Sequence, residues 1–189
     1  MILSQKDLRK AVKAKKIGFS PELEENQWGE ASVDLRLGRQ FTWYRDDLSG
    51  ITLSVAAGIP ALDLYHTDEL DSYDLHPGKL VLALTHEAVT VPNNLIARVE
   101  GRSTYARVGL SMHHTAPWIQ PGWKETPIVL EISNHGNITI KLTPLVDRPC
   151  QLTFFELKSA LPASQIYGSK KADRYQGQKH PLKHKKRGS

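Results

Sequence analysis

The chain has 189 residues, of which 40% are hydrophobic and 24% are charged, a composition typical of one compact globular domain. No apolar run approaches the roughly 20 residues of a membrane-spanning helix, and residues 1–7 lack the basic and apolar regions of a secretory signal. The single cysteine, Cys150, excludes a disulfide framework within the chain and a zinc site with several cysteine ligands. These features predict a cytoplasmic protein with no membrane partner.

The net charge of +5 is concentrated at the C-terminal end. Residues 163–189 contain eight basic residues and one aspartate, a charge of +7, which leaves −2 for the rest of the chain. With a net charge of −2, residues 1–162 offer no general binding surface for a polyanion, so nucleic acid is not an expected partner. The tail could contact nucleic acid or close over a phosphate ligand, while solvation alone is the simplest account of residues 183–187.

Helical periodicity is confined to the N-terminus. Ser4 and Asp7 precede an amphipathic pattern that predicts a capped helix of about three turns, finished before Gly18. Alternation then predicts a strand over residues 31–37 with a turn at Gly38. The other predicted strands cover residues 41–44, 79–85, 88–91, 95–99, 110–115, 128–132, 138–142 and 150–157, and the acidic, turn-rich residues 46–77 are expected to be irregular.

Many short strands separated by Pro, Gly and Asn indicate an antiparallel barrel or jelly roll. We therefore expect a mainly β domain over residues 1–162, including the short N-terminal helix. Residues 163–189 are expected to form a mobile, basic C-terminal arm.

Several common catalytic motifs are missing from the sequence. There is no phosphate-binding P-loop and no G-x-G-x-x-G dinucleotide motif, and a lone cysteine cannot provide the C-x-x-C pair of the zinc nucleobase deaminases. The adjacent His113 and His114 would point to opposite faces of a strand. The eight histidines show no metal-binding spacing.

Residues 101–107 combine two guanidinium groups with two hydroxyl groups after a glycine. Arg102, Ser103, Thr104 and Arg107 are suited to binding a chain of phosphates, because arginine forks, hydroxyls and free backbone N–H groups are its usual partners. The same residues could instead form an ordinary exposed turn with capping hydroxyls. Taken alone, the segment leaves both interpretations open.

A glutamate interrupts a strand of apolar residues near the C-terminal end of the body. By alternation, Glu131 shares one face of its strand with Val129 and Ser133, so the barrel could partly desolvate it. A carboxylate in that environment is a suitable proton acceptor near neutral pH. The alternative is a glutamate that faces solvent.

Five segments, in this order, resemble the motifs of the dCTP deaminases, which belong to the trimeric dUTPase-like superfamily. They are residues 31–38, 101–107, 113–116, 121–123 and 130–134, and residues 1–4, the helix after them and residues 167–178 are similar too. The resemblance implies a dUTPase-like distorted jelly roll or β-barrel. It also implies a homotrimer with sites between subunits and an arm that closes over a nucleotide triphosphate.

The resemblance further implies zinc-independent conversion of dCTP to dUTP and ammonia, supplying dUTP for dUMP and dTTP synthesis. Glu131 would take a proton from a water that attacks C4 of the base, and would pass it to N3 and then to the departing ammonia. Ser103 and Arg107 would hold the water and the reacting groups. Mg²⁺ would enter with the triphosphate and keep several waters, without a metal ligand from the protein.

The remaining roles are implied by the same motifs. Arg102 and Thr104 would face the triphosphate beside Ser103, and Gln120 would lie near the sugar. The base edge would be read by main-chain groups of residues 113–116, and the arm would add further ligands. The residues assigned to the base edge and the arm are His113, His114, Thr115, Ala116, Tyr167, Lys171, Arg174 and Gln178. Expected ligands are dCTP and dUTP, with dTTP as a candidate inhibitor.

Two departures from the family pattern affect the choice of reaction. Gln120 occupies the position of a usual aspartate, and the loop from there to Glu131 is one residue longer, at residues 124–127. In relatives that hydrolyse dUTP the aspartate prepares a water for attack on the α-phosphate, and glutamine cannot accept that proton. Gln120 therefore argues against the alternatives of a dUTP diphosphatase or a bifunctional enzyme, unless Glu125 substitutes. A non-catalytic nucleotide- or nucleic-acid-binding relative is the third interpretation.

Overall fold

Antiparallel pairing organises the chain in its computed structural model, which describes residues 1–48, 50–52, 64–170, 173 and 175–182. Within those residues the N-terminal half contains helix α1 (Gln5–Lys13), then strands β1 (Gly18–Ser20), β2 (Val33–Leu35), β3 (Leu37–Tyr44), β4 (Tyr65–Glu69), β5 (Tyr73–Leu75) and β6 (Leu80–Thr90). The remainder contains β7 (Leu95–Gly101), helix α2 (Ser103–Ala106), β8 (Leu110–Ser111), β9 (Trp118–Ile119), β10 (Thr126–Asn134), β11 (Ile140–Leu142) and β12 (Cys150–Glu156). One 3₁₀ turn, Glu25–Gln27, precedes β2.

Two antiparallel sheets enclose the core. The larger has the order β4-β3-β6-β10-β8, with β1 also paired to β6, and the smaller has the order β2-β12-β7-β9. Strands β5 and β11 form a separate pair. The prediction of a mainly β fold with a short N-terminal helix is confirmed. No helix within the described ranges is both long and apolar enough to cross a membrane.

The predicted N-terminal helix is present with its predicted cap. The side chain of Ser4 accepts a hydrogen bond from the backbone N–H of Asp7 at 3.3 Å, which satisfies one of the free donors at the helix start. Leu8 is buried in the main core and Lys10 and Lys13 lie in the last turn, where positive charge is favourable. The helix therefore packs against the barrel through one apolar face.

Alternation on β10 separates the core from the functional face. Ile128, Leu130 and Ile132 are buried in the hydrophobic core, while Val129 and Glu131 are half-buried on the opposite face. The predicted grouping of Glu131 with Val129 is confirmed, because successive side chains of a strand point to opposite sides. β10 thus fixes the direction of the candidate catalytic carboxylate.

Three local predictions are wrong. Gly38 lies inside β3 rather than in a turn, and a Cβ built on it would be only 2.8 Å from the carbonyl oxygen of Leu84. Glycine at this position therefore allows the backbones of β3 and β6 to approach each other closely.

Residues 65–69 and 73–75 form strands, although the sequence predicted an irregular segment there. The edge strand β4 has little buried surface, so its sequence lacks the alternation of a half-buried strand. The predicted strand at residues 110–115 is limited to Leu110–Ser111, because the chain then turns toward Glu131.

A buried ion pair connects the start of the chain to β6. The side chain of Glu87 is fully buried, and its Oε1 lies 2.7 Å from Nε of Arg36. The other oxygen accepts from the backbone N–H of Arg36 at 2.8 Å, and Nε2 of Gln27 donates to Oε1 at 3.0 Å. Each carboxylate oxygen therefore has a partner that compensates for its loss of water.

Replacing Glu87 by glutamine is expected to lower the free energy of unfolding by about 1.5–3 kcal/mol. The substitution removes the buried carboxylate beside Arg36, whose remaining ion pair, with Glu24, is exposed on the glutamate side. Urea unfolding followed by circular dichroism measures the change. Glu25→Gln is the matched control, since its ion pair with Arg9 is exposed and such pairs contribute about 1 kcal/mol or less. Equal midpoints for the two variants would contradict a structural role for Glu87.

Candidate active site

Glu131 is held by the segment that follows β8. The backbone N–H of His114 donates to Oε2 of Glu131 at 2.9 Å, and the backbone N–H of Glu131 donates to the carbonyl of Met112 at 3.1 Å. On its other side, Glu131 is paired with Leu82 of β6. The carboxylate is thus fixed through one oxygen. The structure shows no bond from the described residues to Oε1, the other oxygen of this carboxylate.

A cavity of about 640 Å³ opens beside this carboxylate. Six of the predicted site residues line it: Glu131, His113, Ala116, Gln120, Tyr167 and Gln178. Other parts of its wall are formed by apolar and aromatic residues, including Val99, Trp118, Trp123, Ile128, Tyr175 and Leu182. A concave cleft with a mostly apolar wall and a few convergent polar groups is the usual form of a small-molecule site.

A second cavity, of about 350 Å³, lies on the other side of Glu131. The predicted residues His114 and Thr115 line it together with Glu131, and three aromatic residues, Trp43, Tyr44 and Tyr65, form part of the wall. The rings of Tyr44 and Tyr65 stack with centroids 4.5 Å apart. Burial raises the pKa of Tyr65, and its interaction with the neighbouring Tyr44 hydroxyl raises that pKa further. Glu131 therefore stands between two cavities, and Leu82 also borders both.

The first part of the C-terminal arm covers the larger cavity of its own chain. The ring of Tyr167 packs against Trp123 with centroids 5.3 Å apart, and its backbone N–H donates to the carbonyl of Pro121 at 2.7 Å. Gly122 permits this approach, because a Cβ there would be 2.6 Å from Cβ of Ile166. The arm thus begins its path directly over the Pro-Gly-Trp motif.

Residues 175–178 continue the cover along the start of β10. The backbone N–H of Gly177 donates to Oγ1 of Thr126 at 2.9 Å, and Nε2 of Gln178 donates to the carbonyl of Pro127 at 3.4 Å. Gln178 is buried in the cavity wall. The predicted ligands Lys171 and Arg174, and residues 183–189, lie outside the described residues.

The four predicted residues at α2 are not brought to Glu131 within one chain. Ser103, Thr104 and Arg107 are exposed, and none of them lines either cavity at Glu131. Nε of Arg102 lies 3.1 Å from Oδ2 of Asp34, and burial raises the pKa of Asp34, an effect that Arg102 opposes. A single chain therefore presents eight of the predicted site residues at Glu131 and the four residues at α2 on a separate surface.

Residues 2–157 match the model of the family described as dCTP deaminase-like. This chain belongs to the dCTP deaminase-like family. A protein named dCTP deaminase from Natronomonas pharaonis is 40% identical over 184 residues, covering 96% of this chain and 92% of its own. One named dCTP deaminase, dUMP-forming, from Methanosphaera stadtmanae is 38% identical over 193 residues, covering 95% and 91%.

The fold comparison agrees with the family. The crystal structure of 2′-deoxycytidine 5′-triphosphate deaminase from Agrobacterium tumefaciens superposes with a TM-score of 0.64 at 22% identity, over 86% of this chain. The matched region spans 50% of that longer chain. At this level of identity the likeness establishes the shared fold.

Residues 124–127, the loop that departs from the family pattern, line neither cavity at Glu131. Glu125 is exposed, its backbone φ is 43°, and its N–H donates to Oγ1 of Thr90 at 3.0 Å. A register shift between Pro127 and Val129 follows, so the irregularity ends before β10 reaches Glu131. Gln120 lines the cavity, whereas Glu125 does not.

Sequence reasoning missed several residues of the two cavities. Trp123 and Tyr175 lie inside the segments that carried the resemblance, so the motifs could have identified them. Ser133 lines neither cavity, but it bonds to His114 on the face of β10 that the alternation had assigned to it. Trp43 and Tyr65 gave no such signal, because the pairing of β3 with β4 brings them to the site.

Proposed function

We propose that this protein catalyses the hydrolytic deamination of dCTP to dUTP and ammonia, with Glu131 as the general base. The observation that supports this most directly is the position of Glu131, fixed by the His114 backbone N–H at the edge of a nucleotide-sized cavity. Family membership and the names of the full-length relatives agree with it. The product dUTP would supply dUMP and dTTP synthesis, and we place the reaction in the cytoplasm.

The chemistry assigned to Glu131 needs one free carboxylate oxygen and one that is held. Oε1 would take a proton from a water, which then attacks C4 of cytosine. That proton would pass to N3, where it stays in the uracil product. Glu131 would then carry a second proton, from the new C4 hydroxyl, to the amino group, so that ammonia leaves as the C4 carbonyl forms. A carboxylate positioned in this way typically contributes a factor of about 10²–10⁴ to the rate. Zinc has no part in this proposal.

The triphosphate end of the substrate is assigned to the basic residues. A nucleoside triphosphate enters with about four negative charges, usually as its Mg²⁺ complex in which the metal keeps several waters. Arg102, Thr104, Lys171 and Arg174 would contact it, and Tyr167 and Gln178 would close over the sugar. Mg²⁺ is thus treated as part of the substrate.

We infer that the active unit is a homotrimer in which α2 of one subunit completes the site of its neighbour. Ser103 and Arg107 are exposed on one chain and separate from Glu131, so a cyclic arrangement is the simplest way to join the two halves. The described part of the arm packs on its own barrel, which favours a site with Glu131 and the arm from one subunit. Light scattering at micromolar protein tests this, since a 21.2 kDa monomer would contradict it.

The second candidate, a dUMP-forming enzyme, is favoured by the names of some relatives at nearly the same identity. Gln120 argues against it, because it stands where dUTP-hydrolysing relatives have an aspartate. Among the described residues, Glu131 is the only carboxylate on the wall of the larger cavity, so no other group replaces that aspartate. Glu125 is exposed and lines neither cavity. The wild-type protein should therefore accumulate dUTP with dUMP below a few per cent of product.

Incubation of the pure protein with dCTP and Mg²⁺ tests both proposals at once. Chromatographic separation of dCTP, dUTP and dUMP, with separate assays of ammonia and pyrophosphate, identifies the reaction. Ammonia without dUMP supports deamination alone. If dUMP appears as fast as ammonia and disappears in Glu125→Gln, the bifunctional interpretation is correct, and the absence of ammonia overturns both. Adding dTTP to the same reaction tests it as an inhibitor.

A further inference from the structure

The side chain of His114 joins the Glu131-binding segment to the strand that carries Glu131. Its Nε2 lies 2.6 Å from Oγ of Ser133, whereas its backbone N–H holds the carboxylate. Ser133 is buried and two residues from Glu131 on the same face of β10. His114 therefore bonds twice to the same face of β10, once through its backbone N–H and once through its imidazole.

The neighbouring bonds limit the ways in which this segment can move. Oγ of Ser111 donates to the carbonyl of His113 at 2.8 Å, which closes the turn on itself. Ser111 and Ser133 are also opposite partners in the pairing of β8 with β10. Beyond Ser111 the backbone N–H of Glu131 still donates to the carbonyl of Met112 at 3.1 Å. Among the described residues, the imidazole bond is the side-chain link between residue 114 and β10.

We propose that His114 and Ser133 form a positioning pair that sets the direction of the Glu131 carboxylate. The inference rests on the proposed function and deepens it. The family resemblance gives no role to the side chains of His114 and Ser133, whereas the inference assigns them the positioning of Glu131. Without the bond between His114 and Ser133, residue 114 is held to β10 only by its own N–H bond to Glu131 and by the backbone bond at Met112, so its position is less restricted. The carboxylate then loses its fixed oxygen, and proton transfer depends on a geometry that is no longer maintained.

The test compares four variants: His114→Leu, Ser133→Ala, the double variant and His114→Gln. Each of the first two should lower kcat for dCTP deamination by about 10- to 100-fold, the range expected when a catalytic group is slightly misplaced. KM should stay within about twofold. The double variant should be no slower than the poorer single variant, because both changes break one bond. His114→Gln, which retains a polar group at a similar distance, should recover much of the loss.

A matched pair elsewhere in the chain controls for the chemistry of the substitutions. Nδ1 of His76 lies 2.9 Å from Oγ1 of Thr139, and neither residue lines a cavity with Glu131. His76→Leu and Thr139→Val should leave kcat within about twofold, as is usual for surface changes far from a site. Thermal unfolding of all variants separates a loss of fold from a loss of position.

The outcomes separate this inference from the proposed function. If the wild type releases ammonia from dCTP and Ser133→Ala is equally fast, the positioning pair is wrong and the deaminase assignment stands. Multiplicative losses in the double variant, or no recovery in His114→Gln at unchanged stability, would also overturn the pair. If the wild type releases no ammonia, both fail together.

Discussion

Replacing Glu131 by glutamine is expected to lower the rate of dCTP deamination by about 10²–10⁴-fold, the usual contribution of a general base. Glutamine keeps the size of the side chain and can still accept the His114 N–H bond through its amide oxygen. It cannot take a proton from water near neutral pH. The loss should therefore appear in kcat, measured by ammonia release, whereas dCTP binding measured by calorimetry should change little.

The matched control for this substitution is Glu125→Gln. Glu125 is an exposed glutamate in the loop before β10 and does not line the cavity at Glu131, so its replacement should leave the rate within about twofold. Turnover of the Glu131→Gln variant above about a tenth of wild type would remove Glu131 from the role of general base.

The part of the fold that could be predicted from the sequence is the part with strong alternation. Strands β7, β10 and β12 have inward apolar residues at every second position, and their predicted ranges agree with the structure to within two residues. Strand β4 could not be found in this way, because its stability comes from backbone pairing with β3 at the sheet edge. Gly38 was misread as a turn, since close backbone contact and turn formation both select glycine.

The same distinction applies to the candidate site. Motif order identified Glu131, Gln120 and Tyr167, which the fold does bring to one cavity. It could not show that α2 lies away from Glu131 within one chain, because residues of one motif set can come from different subunits. It also could not show the direction of the arm, which depends on the contact of Tyr167 with Trp123.

Mixed oligomers should recover activity when the two halves of the site come from different defective chains. We consider Glu131→Gln and Arg107→Ala, each expected to be inactive alone. In a cyclic trimer in which each Glu131 meets Arg107 of the next subunit, every mixed ring contains one intact site. Co-expression with two affinity tags and tandem purification should therefore give roughly a third of wild-type activity per trimer.

A second mixture determines which subunit contributes the arm. A chain ending at residue 162 keeps Glu131 but has no arm, and the Glu131→Gln chain keeps the arm but has no base. Because Tyr167 and Gln178 cover the cavity of their own chain, every site in a mixed ring lacks one of the two, and we expect no recovery. Recovery to roughly a third would mean that the arm crosses to a neighbour. If neither mixture recovers while the Arg107→Ala chain is fully active by itself, α2 has no part in the site and the shared-site proposal is wrong.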